Sequence, residues 1–307
     1  MSPTISHEVL RAAFGDRLQL SAPLARLTSA RIGGMADYFV EVRSSTELAG
    51  VVSQLWELDL PYVILGGGSN ILISDAGVRE VVIHNRARAV RFKEHNDPPS
   101  VHAESGVNFG ALARQAAQKG LSGLEWAAGI PGTVGGAVFG NAGAHGGDMA
   151  GNLQMAEILH PQDGRQTWKL NDLDFAYRSS VLKREHSKTV VLAAELLLEH
   201  SEPEKIENAM NEFLEHRRRT QPPGASMGSM FKNPPEDYAG RLIDVVGLKG
   251  LRVGDAQISQ LHGNFFTNNG AAKAADVRSL LDKAREEVSK QFGVELELEI
   301  ELLGEWN

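Results

Sequence analysis

The stretch GIPGTVGGAVFGNAGAHGG occupies residues 129–147, and eight of its nineteen positions are glycine. A turn needs only a few residues, so glycine on this scale implies a backbone that something approaches closely. A second run, GGGSN at Gly66–Asn70, lies between the apolar, strand-like runs YVIL (62–65) and ILI (71–73). Bare N–H groups on successive glycines can converge on a phosphate oxygen, and Ser69 and Asn70 add side-chain hydrogen bonds. Alone, GGGSN reads equally well as a tight turn; beside the longer run it points to a diphosphate. Neither run contains GxGxxG, and GxxxxGK[ST] is absent throughout, so neither a Rossmann site nor a P-loop kinase is supported.

Working outward from the two runs, the pattern is mixed α and β. Apolar residues recur at helical spacing from Glu47 to Leu58, and FGALARQAAQKG (109–120) predicts a helix ending at Gly120. VREVVIH (78–84), SVHAES (100–105), MAEILH and TVVLAAELLLEH predict strands, with a turn at Asp163-Gly164. Near residue 200 the composition changes to a polar helix that ends in Arg217, Arg218 and Arg219. Another helix is predicted over Lys273–Phe292, followed by a strand through VELELEIELL.

Composition narrows the function. The chain has 307 residues, 42% hydrophobic and 23% charged, with Lys+Arg 31 against Asp+Glu 39, a net charge of −8. This balance suits a folded protein of about two domains and disfavours one that coats nucleic acid. Cysteine is absent, which excludes disulfides, thiolate metal sites and catalytic thiols, so any redox chemistry needs a bound cofactor. No run of about 18 apolar residues and no leader-like N-terminus is evident, and the expectation is a cytoplasmic protein away from membranes. The histidines form no HExxH-like set, so no metal is expected.

ARIGGMADYFVEV (30–42), LGGGSNILI (65–73), GIPGTVGGAVFGNAGAHGGD (129–148), FAYRSSVLK (175–183) and GSMFKNP (228–234) occur in this order. Together they resemble the UDP-N-acetylenolpyruvoylglucosamine reductase family, in its shorter type without a substrate-covering Tyr loop. The resemblance implies an α+β, vanillyl-alcohol-oxidase-like (PCMH-type) fold: two FAD-binding subdomains, residues 1–85 and 86–200, plus a C-terminal α+β substrate-binding domain, residues 201–307. It implies non-covalent FAD, NADPH as hydride donor, and reduction of the enolpyruvyl ether to a lactyl ether in peptidoglycan precursor synthesis, hydride coming from flavin N5. A monomer is expected. Gly66, Gly67, Gly68, Ser69, Asn70, Gly129, Ile130, Pro131, Gly132, Thr133, Gly135, Gly136, Asn141, Ala142 and Gly143 are the expected cofactor-binding residues. His145 and Met35 depart from the family pattern, which commonly has Tyr and Pro there.

The same resemblance assigns Arg178, Ser229 and Glu299 to catalysis and Tyr177, Lys232, Asn233 and Arg217 to substrate binding. A guanidinium suits a carboxylate and the enolate formed beside it. Ser229 would protonate the carbon next to the substrate carboxylate, which requires neighbours to lower the cost of its alkoxide. Periodicity alone puts Glu295, Glu297, Glu299 and Glu301 on one strand face and cannot choose among them; the family spacing to Gly304 selects Glu299. The arginine cluster is explained equally by the helix dipole and by a diphosphate nearby. GASMG (224–228) matches the nucleophile elbow GxSxG, but loop-like sequence on both sides argues against a hydrolase at Ser226. A same-fold oxidase and a non-enzymatic nucleotide-binding module are the rival readings.

Overall fold

The computed structural model describes residues 6–185 and 188–306. Its contacts divide the chain into two compact units, each discontinuous in sequence: residues up to Gln19, Phe39–Gly66 and Val82–Glu215 in the first, and Leu20–Tyr38, Gly67–Val81 and the residues from His216 on in the second.

The first unit is built on a five-stranded antiparallel sheet in the order Gly164–Trp168, Leu153–His160, Val190–Leu197, Ser100–Glu104, Val90–Lys93. The near-continuous apolar run VVLAAELL forms its central strand, buried on both faces, which is why that segment lacks strand alternation. Glu195 is the exception. Its carboxylate accepts from Lys93 Nζ at 2.6 and 2.7 Å and from Ser100 Oγ at 2.7 Å. Burial pushes this carboxyl up, but those hydrogen bonds and the Lys93 charge outweigh it and leave it below its ordinary value.

The predicted helix at residue 109 spans Phe109–Gln118, its side-chain cap supplied by Asn108, and it stops before Gly120 at φ +68°. Phe109, Leu112, Ala113 and Ala116 form its buried face in the unit's main apolar core. Ser45–Glu57 is the other sizeable helix expected here; Ser44 caps it, and buried Glu104 reaches its Ser45 N–H at 2.8 Å.

In the second unit, Ala225–Ser229, Phe265–Asn268, Ala256–Ile258 and Arg252–Val253 form an antiparallel sheet in that order. The helix Ala274–Phe292 covers it, presenting Val277, Leu280, Leu281, Ala284 and Val288 to a core shared with Met230, Phe231 and Phe266. Ile71–Ile73 pairs in parallel with Glu301–Leu303, which draws Gly67–Val81 into the same unit as the C-terminus.

One expectation is corrected. VELELEIELL is not a continuous strand: regular pairing is confined to Glu301–Leu303, preceded by a single bridge between Leu298 and Phe231. The segment bonds first to residues 230–232 and then to the strand after GGGSN, and it bends at Glu299-Ile300 to change partners. Alternation of side chains survives, with Leu296 and Ile300 buried, but no single ladder spans the four glutamates.

Asp75, just after Ile71–Ile73, accepts from Ala274 N and Ala275 N, both at 2.9 Å. It therefore satisfies two open donors at the start of the long C-terminal helix. Asp75→Ala should lower unfolding stability by about 1–2 kcal/mol in urea titration, and Asp75→Asn by less.

Candidate active site

The long glycine-rich stretch belongs to the first unit, and it is not one open loop. Val134–Gly140 is a helix whose buried Val134, Ala137 and Val138 fold the middle of the stretch against the core. Thr133 caps it, accepting from Gly136 N at 3.4 Å, and Asn141 ends it in the left-handed region at φ +43°. Gly143–Ala144 and Gly147–Asp148 then form a hairpin turned by His145 and Gly146 at φ +53° and +83°. Such a turn needs two left-handed residues, a conformation that His tolerates better than most. The His145 ring stacks on Phe213 at 4.3 Å between centroids.

Several of the glycines are required by the protein's own close packing. A Cβ on Gly66 would lie 2.6 Å from Thr133 Oγ1, one on Gly135 2.8 Å from Ser105 Cβ, and one on Gly147 2.5 Å from the Trp126 ring. Others leave backbone open: Gly129 and Gly136 are exposed, and Gly129 and Gly132 have φ of +73° and +120°. No acidic side chain occurs from 129 to 147. The first carboxylate beyond, Asp148, accepts from Gly151 N at 3.0 Å and from Asn141 Nδ2 at 3.4 Å. An uncharged, glycine-lined start of a helix fits the diphosphate of FAD in its donor chemistry. Ile130 and Ala142 pack against the core, and Pro131 is exposed.

Arg178 sits in a two-residue turn closed by reciprocal hydrogen bonds between Ala176 and Ser179 at 3.0 and 3.1 Å. Its φ of +53° is a left-handed conformation that a long side chain adopts only where its surroundings impose it. Two restraints are visible. Arg178 Nη2 donates to the Gly143 carbonyl at 2.7 Å, and buried Asn141 donates to the Ala176 carbonyl at 3.0 Å. Gly143 leaves room for the guanidinium, since a Cβ there would lie 3.3 Å from Arg178 Nη1 and 2.8 Å from Asp148 Cβ. The Asn141 side chain, expected at the cofactor, is thus occupied in holding this turn. Tyr177 is exposed, and the Arg178 guanidinium lies 5.2 Å from its ring centroid.

The second unit brings together Gly67–Asn70 of the GGGSN run, Ser229 and Glu299. Gly67 is exposed, and Gly68, at φ +58°, passes so close to Leu27 that a Cβ would fall 2.2 Å from its carbonyl oxygen. Ser69 is half-buried. Asn70 donates through Nδ2 to the Glu299 carbonyl at 3.1 Å, and its own carbonyl accepts from Glu301 N at 2.9 Å. Glu299 N donates to the Met230 carbonyl at 2.9 Å, one residue from Ser229. Ser229 and Glu299 are both half-buried.

Lys232 donates its backbone N–H to the Glu297 carbonyl at 2.9 Å and its ammonium to the Glu297 carboxylate at 3.1 Å. Asn233 Oδ1 accepts from Ala239 N at 3.1 Å, at the start of the helix Ala239–Val245. Of the three arginines only Arg217 is withdrawn from solvent, and burial holds its guanidinium below its ordinary value. Ser226 lies within Ala225–Ser229, paired with Thr267, and no helix follows before Ala239, so the geometry of a nucleophile elbow is missing. Among the described residues no cluster of His, Asp and Glu is placed to hold a metal, and no helix is long and apolar enough to cross a membrane.

Two measurements follow. Gly66→Ala should bind FAD at least about tenfold more weakly, roughly 1.4 kcal/mol, because the new methyl displaces Thr133 from the helix start; unchanged retention on dialysis would contradict this. His262 is held below its ordinary value by burial and by the Lys249 charge, and its Nδ1 accepts from Asn264 N at 3.2 Å. The folded state thus favours neutral imidazole, so stability present above about pH 6.5 is lost as pH falls below it. His84 shifts in the same direction, so the effect is read as a difference. His262→Gln should lose less stability than the unsubstituted protein from pH 7.5 to 5.5, the gap staying under about 1.4 kcal/mol per pH unit.

Comparison with known proteins finds similarity along nearly the whole chain. The FAD binding domain family matches residues 36–168, and the UDP-N-acetylenolpyruvoylglucosamine reductase C-terminal domain family matches residues 220–303. The chain is 44% identical to UDP-N-acetylenolpyruvoylglucosamine reductase 2 of Symbiobacterium thermophilum, covering 99% of this chain and 98% of that protein. It is 40% identical to the reductase of Chloroflexus aggregans over 93% of this chain and 97% of that one. The crystal structure of the UDP-N-acetylenolpyruvylglucosamine reductase of Thermus caldophilus matches with a TM-score of 0.79 at 37% identity, covering 94% of this chain and 99% of that chain. With its FAD-binding fold, its reductase C-terminal domain and relatives this similar from end to end, the chain belongs to the UDP-N-acetylenolpyruvoylglucosamine reductase family.

Proposed function

We propose that Arg178, Ser229 and Glu299 carry the family's reaction in this protein, the FAD-dependent reduction of the enolpyruvyl ether of UDP-N-acetylenolpyruvoylglucosamine to the lactyl ether of UDP-N-acetylmuramate, with NADPH as reductant. One observation supports the Ser229 and Glu299 assignments: Asn70 of the glycine run, the backbone beside Ser229 and the backbone of Glu299 share one hydrogen-bonded network. The exposed backbone of Gly129 and Gly136, with Gly132 and Thr133, would hold the FAD diphosphate, and Gly67 and Ser69 are proposed as further cofactor-binding residues. When bound, FAD takes hydride from NADPH and supplies it to the substrate's β-carbon.

Hydride addition at the β-carbon leaves an electron pair shared between the α-carbon and the carboxylate. Arg178, fixed in its turn by Gly143 and Asn141, stabilises that charge through its planar fork. Ser229 delivers a proton to the α-carbon, completing the C–H bond and leaving an alkoxide that solvent or a neighbour reprotonates. The Glu299 carboxyl helps to hold the enol form, and its placement is set at its own N–H and carbonyl by Met230 and Asn70. Arg217, withdrawn from water without a salt bridge among the described residues, suits the diphosphate of the sugar nucleotide. Tyr177 and Lys232 would line the substrate, while Asn233 acts from the base of its helix. The reading also places the protein in the cytoplasm as a monomer, divided along the chain at residues 1–85, 86–200 and 201–307.

The test separates the two halves of the reaction in an anaerobic visible spectrum. Ser229→Ala should let NADPH bleach the flavin within about twofold of the normal rate, while reoxidation by UDP-N-acetylenolpyruvoylglucosamine falls about 10²–10⁴-fold. Arg178→Lys should lose reoxidation selectively as well, because a point charge cannot match the fork. Equal loss in both halves would refute the assignments.

A further inference from the structure

The chain carrying Ser229 is set by a slip in its sheet. Ala225 and Ser226 pair regularly with Asn268 and Thr267, but the next pair is Ser229 with Phe265, so one extra residue is accommodated on the Ser229 strand. Gly228, at φ +81°, lies within this bulge. A bulge re-aims the side chains that follow it. Ser229 takes the slot opposite Phe265 that an unbroken register would give to residue 228.

Beyond that pair the last backbone bond to the partner chain is the one from Met230 N to the Asn264 carbonyl. The partner chain turns at 262–265, where Phe265 N donates to the His262 carbonyl at 3.0 Å. Asn264 supplies the missing partners. Its carbonyl accepts from Met230 N at 2.9 Å, and its side chain accepts from Phe231 N at 2.9 Å through Oδ1 and donates to the Phe231 carbonyl at 2.7 Å through Nδ2. This carboxamide replaces a peptide group of a neighbouring strand, offering an acceptor and a donor in one plane. Asn264 is 2% exposed and Phe231 0%, so water cannot take over either bond. On the other edge of the same segment, the Met230 carbonyl accepts from Glu299 N and Lys232 N donates to the Glu297 carbonyl, both at 2.9 Å.

We infer that Asn264 is a positioning residue for the proton-transfer half of the reaction: its side-chain amide holds residues 230–231 so that Ser229 on one side and Glu299 on the other keep their places. This rests on the assignment of Ser229 as proton donor. Without the amide, two buried backbone groups lose their partners and the segment can shift, and a displacement of about 1 Å at a reacting group costs on the order of 10²-fold in rate. Asn264 touches neither substrate nor cofactor in this role.

The experiment uses FAD-loaded protein and three variants: Asn264→Leu, close in size without the amide; Asn264→Asp, which keeps an acceptor for Phe231 N; and Ser229→Ala. Flavin content, reduction by NADPH and reoxidation by UDP-N-acetylenolpyruvoylglucosamine are followed anaerobically, the last in H2O and D2O. Asn264→Leu should reduce within about twofold of normal and reoxidise about 10²-fold more slowly, with a larger solvent isotope effect as proton delivery becomes slower than hydride transfer. Asn264→Asp should fall between the two. If Asn264→Leu fails to fold, Asn264→Asp decides alone, with an expected selective loss of about tenfold. Normal reoxidation by the Asn264 variants beside a crippled Ser229→Ala, or equal loss of both half-reactions, overturns the inference. Normal reoxidation by Ser229→Ala overturns the Ser229 assignment and the inference with it.

Discussion

Three residue pairs, Ile71 with Glu301, Leu72 with Leu302 and Ile73 with Leu303, hold the second unit together from opposite ends of the sequence. Parallel pairing over so long a loop is entropically expensive to form, and it is maintained here by apolar burial on both sides: Leu72 and Ile73 from one strand, Ile300 just before the other. The pairing sets the position of what lies immediately upstream on each strand. That is Asn70 of the glycine run in one case and Glu299 in the other, and the two meet in a direct hydrogen bond. A glycine run suited to an anion and a carboxylate suited to an enol are thereby placed by one short ladder.

Glycine serves two purposes that composition cannot separate. At Gly66, Gly68, Gly135, Gly143 and Gly147 the neighbour that excludes a Cβ is the protein itself. At Gly67, Gly129 and Gly136 the backbone is exposed and can serve a ligand. The first group makes the second possible, because close packing of Thr133 on Gly66 and of Ser105 on Gly135 fixes the helix start. The same logic extends to Arg178. Gly143 makes room for its guanidinium and accepts its hydrogen bond, and Asn141 at the end of the glycine-rich helix holds its turn.

Asparagine has a comparable place in both units. Asn141, Asn70 and Asn264 each use a side-chain amide to bind main chain where no strand or helix neighbour is available. Each bonds to main chain that belongs to a residue assigned to the reaction or lies one or two residues from one. At Asn141 and Asn264 the amide is buried and bonded through both its oxygen and its nitrogen, and such an amide restricts the backbone more narrowly than apolar packing would, since misplacement leaves polar groups without partners. Rigid main chain is what a reaction with separate hydride and proton deliveries requires.

Much of the architecture is legible in the amino-acid sequence by itself. The helices at 45–57, 109–118 and 274–292 and the strands at 62–65, 71–73, 78–85 and 190–197 follow from local periodicity, capping residues and apolar runs, which depend on near neighbours alone. The ordered motifs carry the family and, through it, the proposal that Arg178, Ser229 and Glu299 act in catalysis. Tertiary structure decided the rest. VELELEIELL alternates as a strand should, yet it divides its hydrogen bonds between residues 230–232 and Asn70, and no periodicity records a change of partner. The glycine-rich stretch reads as loop by composition, yet the core recruits Val134, Ala137 and Val138 into a helix. The backbone roles of Asn141 and Asn264 are hidden for the same reason: a residue's type announces which bonds it can make, and only the fold determines which distant backbone lacks them.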